Sequence, residues 1–533
     1  MTESTLLPEL IFNARDLSAD AHALSDGKVT ISYGELAFLT SQFASALSSV
    51  DLERGERVAI YLEKRIETVV ASFGAPAAGG VFVPINPILK PEQVSYILRD
   101  CNVRVLVTSV ERLKLLQQTL SSCHDLRLIV VLDSNGSLPT QPPISLCWWR
   151  DFLQQGSHQV KNRVIDIDPA SILYTSGSTG KPKGVVLSHR NMVAGAKSVA
   201  SYLENRPDDT LLAALPLSFD AGFSQLTTAF HAGARVVLLN YLLPRDVINV
   251  IEREKITGLT AVPPLYIQLT QLAWPESITE HLRYFANTGG RMPRETLEAL
   301  RRHLPKTKPF LMYGLTEAFR STYLAPEEVG RRPDSIGKAI PNAEILVLRE
   351  DGSPCAPNEP GELVHRGALV GMGYWNDPEK TAERYKPLPV HAPGREAGLV
   401  LPEIAVFSGD TVRMDEEGFL YFIGRRDEMM KTSGYRVSPT EVEEILYATK
   451  LVGECVAFGV DNDRLGHAIQ VIATPPAGGA IDLSELLSEC RARMPAYMVP
   501  SGIDVRNGPL PRNPNGKIDR KSLSTTWVEQ NNL

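Results

Sequence analysis

The chain has 533 residues, too many for one hydrophobic core, so two or more domains are expected. Hydrophobic residues make up 43% and charged residues 22%, an ordinary soluble globular balance. The net charge of −7, with no long basic run, argues against a nucleic-acid binder, which gains affinity by neutralising phosphates. The six cysteines are scattered without a CxxC pair, which suggests neither a disulfide framework nor a zinc site and suits a reducing compartment such as the cytoplasm. The opening "MTESTLLPEL" lacks a basic segment followed by an apolar one, so no signal peptide is expected.

In chain order, "RVAIYL" (Arg57 to Leu62) reads as a strand from its branched apolar residues. The uncharged stretch Thr68 to Leu89 is long enough to span a bilayer. Gly74, Pro76, Gly79, Gly80, Pro84 and Pro87 instead divide it into a short helix, a turn and the strand "VFVPI". "VRVLVTS", "LRLIVVLD", "RVVLLN" and "ITGLTAVP" continue as strands, with helices such as "DVINVIEREK" between them. This βαβ rhythm predicts mainly parallel sheets covered by helices, with ligands beyond the carboxyl ends of the strands. After about Glu344 the pattern shortens to "EILVLRED", "GELVHRG" and "GFLYFIG", as expected for antiparallel strands with Gly turns. "GRRDEMMKTSG" (Gly424 to Gly434) interrupts the apolar pattern, and a small α+β unit follows.

The stretch "SILYTSGSTGKPKGVVLSHRN" (Ser171 to Asn191) places a Ser/Thr/Gly loop just past a strand. Gly177, Gly180 and Gly184 let backbone N–H groups turn toward an anion, Thr175, Ser176, Ser178 and Thr179 add hydroxyl donors, and Lys183 adds charge. The loop suits a phosphate, although Pro182 stands where a Walker motif needs Ser or Thr after its Lys. In "MYGLTEA", Glu317 offers a magnesium ligand, Thr316 a hydroxyl for a phosphate oxygen and Tyr313 a flat ring for a base. Asp410 in "SGD" suits two ribose hydroxyls, and Lys517 follows an Asn-Gly turn in "NPNGKIDR". Each motif alone has a structural alternative: a solvated loop, a surface acid, a turn former or an exposed hairpin lysine.

Taken together and in order, these motifs resemble the AMP-forming adenylating superfamily of acyl-CoA ligases, carrier-protein-loading adenylation domains and luciferases, from about Leu10 to Leu523. The resemblance implies an α/β fold: a large N-terminal domain (1–424) of parallel-rich sheets with flanking helices plus a small β-barrel-like part, a hinge (425–428), and a small mobile α+β C-terminal domain (429–533). It implies ATP and magnesium as cofactors. By resemblance, Thr175, Ser176, Gly177, Ser178, Thr179, Gly180 and Lys183 hold the ATP phosphates, and Thr316 and Glu317 serve the α-phosphate and magnesium. Tyr313 and Gly314 lie beside adenine, Gly289 and Gly290 of "NTGGRMP" form part of the adenine slot and acid pocket, and Asp410 and Arg425 bind ribose. Lys517 bridges the substrate carboxylate and the α-phosphate, Asp427 is the hinge, and Lys431 and Gly434 belong to the thioester step.

The acid is addressed by "LSFDAGFSQ", where Asp220 follows Phe219. In amino-acid-activating members an Asp here pairs with the substrate ammonium; the plainer alternative is a helix cap. A buried Asp beside a substrate carboxylate would be costly without a cation, which favours the ammonium. By motif spacing Ala221, Ser224, Met312, Arg320 and Ser321 approach the same pocket. The run "MYGLTEAFRSTYL" resembles free-standing L-proline-activating enzymes and also certain bacterial acyl-CoA ligases. The expectation is activation of an amino acid, foremost L-proline, and transfer to the phosphopantetheine of a separate carrier protein, because no carrier domain follows Lys517. An acyl- or aryl-CoA ligase using free CoA is the alternative; neither nucleic acid nor membrane is an expected partner.

Overall fold

The computed structural model describes residues 3–132, 144–156, 160, 162–175, 182–396, 398–426, 428–432, 435–462, 465–514 and 516–531. The first large sheet has seven strands. In spatial order they are Ser145–Trp148, Leu128–Leu132, Val103–Ser109, Arg57–Tyr61, Val81–Pro84, Pro169–Thr175 and Lys183–Ser188. All neighbours are parallel except the last two, which form a hairpin with Thr175 opposite Lys183. The second large sheet has nine strands. Its parallel centre runs Lys308–Tyr313, Tyr284–Asn287, Gly258–Ala261, Thr210–Ala213, Arg235–Leu238 and His22–Ser25. The uncharged stretch after Glu67 is the helix Ile66–Ala77, a turn through Gly79 at φ 83°, and the buried strand Val81–Pro84. Among the described residues no helix is long and apolar enough to cross a membrane.

The two sheets share one core. Helices Tyr33–Ser49, Ile66–Ala77, His189–Tyr202 and Asp220–Ala232 fill the space between them, and further apolar clusters cover the outer faces. A parallel sheet buried on both faces needs near-continuous apolar strands, and "RVAIY" and "VRVLVTS" supply them. Phe223, on the helix beginning at Asp220, stacks on Phe73 and Phe82 at centroid distances of 5.5 and 4.7 Å. All three rings are fully buried. Phe223→Ala should therefore lower stability by about 3–5 kcal/mol, measured by urea unfolding against the parent chain.

A five-stranded antiparallel sheet follows, holding Ala343–Leu348, Gly361–Gly367, Tyr385–Pro387, Ile404–Met414 and Leu420–Arg425. The C-terminal sheet begins at Met430 and carries the helix Pro439–Ala448 and the long hairpin Glu454–Asn462 with Gly466–Thr474. Polar contacts dock this unit on the rest. Arg291 Nε lies 2.5 Å from Glu444 Oε1, Lys450 Nζ lies 3.0 Å from Glu295 Oε2, and Asn86 Nδ2 donates to the carbonyl of Pro514 at 2.6 Å.

Candidate active site

Three strands from the parallel centre of the nine-stranded sheet lead to the centre. The strand Thr210–Ala213 runs on through Ala214–Phe219 to Asp220; Tyr284–Asn287 leads to Gly289 and Gly290; Lys308–Tyr313 ends at Tyr313 and Gly314. All of these residues lie past carboxyl ends of strands, where open α/β sheets take their ligands. Lys517 reaches in from the C-terminal unit. Its Nζ is 5.7 Å from the ring centre of Phe219. At Gly289, with φ of 75°, an added Cβ would stand 3.0 Å from Lys517 Cε and 3.1 Å from Val262 Cγ1, so a side chain there would displace the lysine. Burial, and then the neighbouring Arg425, push the Lys517 ammonium down to about 8 against the opposing pull of Asp220 and Asp410.

Asp410 and Arg425 face each other across antiparallel strands, with Arg425 Nε 3.5 Å from Asp410 Oδ1. Tyr313 donates its hydroxyl to Asp410 Oδ2. Burial raises the Asp410 carboxyl, and Arg425 holds it back down. Thr316 and Glu317 form a short 3-10 turn after Gly314. The hydroxyl of Tyr374 donates to Glu317 Oε1 at 2.5 Å, and the Lys183 ammonium sits 5.5 Å over the same tyrosine ring. Thr175 and Lys183 close the hairpin ends; Ser176, Gly177, Ser178, Thr179 and Gly180, with Asp427 and Gly434, lie outside the described residues. Lys431 lies in the strand Met430–Thr432.

Asp220 is the first residue of its helix; Phe219 is the N-cap, and no side-chain cap bond forms. Asp220 thus stands in the first turn rather than at the cap, where its negative charge still suits the helix N-terminus. A cation is present instead within the protein: Arg320 Nη1 stands 3.2 Å from Asp220 Oδ2, with the side chains 3% and 4% exposed. Asp220 Oδ1 has no hydrogen-bond partner among the described residues. Burial raises the Asp220 carboxyl, and Arg320 and Lys517 lower it. Ala221, Ser224, Met312 and Arg320 line one small cavity, joined by Gln225 and Thr260. Ser321 is buried nearby and shares a hydrogen bond with His365 Nδ1 at 3.0 Å.

The residues present fit a nucleotide and a divalent cation. Gly289 leaves space beside Lys517 that a Cβ would crowd, and the Tyr313 ring sits against the Asp410–Arg425 pair, giving a flat face beside a polar one. Glu317 is a single oriented carboxylate, the usual protein share of a magnesium ion that also takes substrate phosphates. Sequence reasoning missed Tyr374, Asn86 and the Arg291–Glu444 pair. Their partners lie far away along the chain, and no local pattern marks them.

Family models match twice: AMP-binding enzyme over residues 12–375, and AMP-binding enzyme C-terminal domain over residues 441–517. The chain belongs to the AMP-binding enzymes. This AMP-binding enzyme is 31% identical over 541 residues to an L-proline--[L-prolyl-carrier protein] ligase of Streptomyces coelicolor, covering 98% of this chain and 97% of the relative. It is 30% identical over 507 residues to a linear gramicidin synthase chain of Brevibacillus parabrevis, of whose length it spans only 6%. A second linear gramicidin synthase chain of that organism is spanned over 10% of its length. The anthranilate CoA ligase AuaEII bound to anthranoyl-AMP has the same fold, with a TM-score of 0.88 at 24% identity over 100% of this chain and 99% of that one. The o-succinylbenzoate coenzyme A synthetase MenE of Bacillus subtilis, in complex with ATP and magnesium, superposes with a TM-score of 0.80 at 25% identity over 97% and 99% of the two chains.

Proposed function

We propose that this AMP-binding enzyme activates a small α-amino acid as its aminoacyl adenylate and passes the acyl group to the phosphopantetheine thiol of a separate carrier protein in the cytoplasm. L-proline is the first candidate, because a relative of nearly equal length is named for it. The observation that carries the amino-acid reading is Asp220 Oδ1: a buried carboxylate oxygen without a partner among the described residues, near Lys517, on a residue whose neighbour Ala221 and partner Arg320 line a small cavity. An ammonium placed on it would satisfy it, and a secondary ammonium still has two N–H donors to give.

In this reading a carboxylate oxygen of the acid attacks the α-phosphorus, the bond to the β-phosphate oxygen breaks, and pyrophosphate leaves. The thiol then attacks the acyl carbonyl and AMP departs. We assign Lys517 to hold the reacting carboxylate against the α-phosphate, and Thr175 to Lys183 to hold the other phosphates. Tyr313, Gly289 and Gly290 take adenine, and Asp410 with Arg425 takes ribose. Thr316 and Glu317 serve the α-phosphate and the metal. Asp427 is assigned as the pivot, with Lys431 and Gly434 serving the thioester half. Magnesium, when bound, supplies positive charge to the phosphates. Tyr374 would orient its ligand Glu317, and removal of such outer supports costs roughly tenfold or more in metal affinity. Tyr374→Phe should therefore raise the magnesium concentration giving half-maximal exchange about tenfold, read by titration at saturating ATP.

ATP–pyrophosphate exchange tests the function. With twenty amino acids and a set of fatty and aromatic acids, amino acids should support exchange, and the aminoacyl group should load a phosphopantetheinylated carrier rather than free CoA. The Arg320–Asp220 pair favours a second reading, an acyl- or aryl-CoA ligase, because it already gives Asp220 a counter-ion. Exchange with fatty or aromatic acids alone would select that one.

A further inference from the structure

The cavity beside Asp220 has a second unsatisfied group. Arg320 Nε is buried without a hydrogen-bond partner among the described residues, and so is Gln225 Oε1. The guanidinium makes one contact of 3.2 Å to Asp220 and one of 3.4 Å to the carbonyl of Phe319. That leaves its planar fork largely unused. The backbone goes to some length to place it there. Phe319, just before it, is a non-glycine residue at φ 56°, ψ −47°, a costly conformation held by full burial of its ring. Around Arg320 the lining is polar as well as apolar, with Ser224, Gln225, Thr228 and Thr260 beside Met312. There is room for about one water molecule, so what enters past the reacting carbon is short.

Charge counting identifies the guest. A guanidinium cannot shed its proton, so Arg320 keeps its charge in the closed pocket. If the substrate ammonium takes Asp220 Oδ1, one carboxylate must serve two cations, and a buried cation left short of a counter-ion is expensive. A bare proline ring brings nothing to correct this. A short side chain ending in a carboxylate does: ammonium with Asp220, side-chain carboxylate with Arg320, reacting carboxylate with Lys517. We propose that Arg320 selects small α-amino acids whose side chain ends in a hydrogen-bond acceptor, a carboxylate best of all, bound at Arg320 Nε. The inference rests on the amino-acid reading above and narrows it; it does not rest on the choice of proline.

The test is exchange kcat/KM for L-aspartate, L-serine, 4-hydroxy-L-proline and L-proline, with succinate and butyrate as amine-free partners. The parent enzyme should favour the acceptor-bearing amino acids over proline at least tenfold. Arg320→Met should invert that ranking while KM for ATP stays within twofold, and Arg320→Lys should restore part of it. Proline equal to or above every acceptor-bearing amino acid in the parent enzyme overturns the proposal without any variant, so a poorly folding Arg320→Met cannot protect it. An unchanged ranking in a folded Arg320→Met also overturns it. Succinate matching aspartate while butyrate is inert would overturn the amino-acid reading yet support Arg320 as the acceptor's partner, so the two failures are distinguishable.

Discussion

Lys517→Gln should lower kcat/KM for ATP–pyrophosphate exchange by about 10²–10³, the typical cost of removing one preorganised group from a developing charge. In the reaction proposed above two anions must meet, a carboxylate and the α-phosphate. At about 4 Å their repulsion is on the order of 4 kcal/mol for an effective dielectric of about 20. Lys517 is the cation that Gly289 leaves room for, over Phe219. Only its protonated form cancels charge, and its ammonium is already pushed down to about 8. The protonated form prevails below that pH and is lost above it. The free-enzyme profile, read as kcat/KM, should therefore fall tenfold per pH unit above about 8. Lys517→Arg keeps its charge throughout that range, so it should be slower at pH 7 yet lose the alkaline limb. A profile for Lys517→Arg that keeps the same alkaline limb would assign that limb to another group.

The same contrast between local pattern and distant partner explains what was readable beforehand. The strand Val103–Ser109 is found with the limits its sequence suggests, because a fully buried parallel strand needs an unbroken run of branched apolar residues. That this stretch breaks into helix, turn and strand was equally legible, since Gly79 adopts a positive φ just past the helix end. The residues around Lys517 were legible for another reason. Motif order implied them, and the structure sets Gly289 and Phe219 against Lys517. The Arg320–Asp220 pair was not legible, although both residues had been assigned to the pocket. Spacing gives proximity, but whether two charges touch each other or a ligand depends on side-chain direction. Tyr374 lies 57 residues from Glu317 along the chain and on a loop that pairs with Val185, which no periodicity reports.

Asp220→Asn should produce two separable losses. The substitution keeps the shape of the side chain and removes its charge, leaving Arg320 buried without its anion. Breaking a buried pair from one side costs about 3–5 kcal/mol, so unfolding should shift to lower urea by a corresponding amount. KM for the amino acid should rise roughly a hundredfold while KM for ATP changes little, because the nucleotide slot proposed above draws on Tyr313, Asp410 and Arg425 instead. The double substitution Asp220→Asn, Arg320→Met tells the two losses apart. Replacing both partners of a buried pair by neutral groups is often neutral for stability, so the double variant should recover most of the lost stability. It should not recover amino-acid activation, because nothing then offers a carboxylate to the ammonium. If stability and amino-acid KM both return, Asp220 serves only as the counter-ion of Arg320, and the substrate ammonium is held by another group. If stability returns and KM for L-proline, which brings no acceptor to Arg320, does not, one oxygen of Asp220 is committed to Arg320 and the other to the substrate.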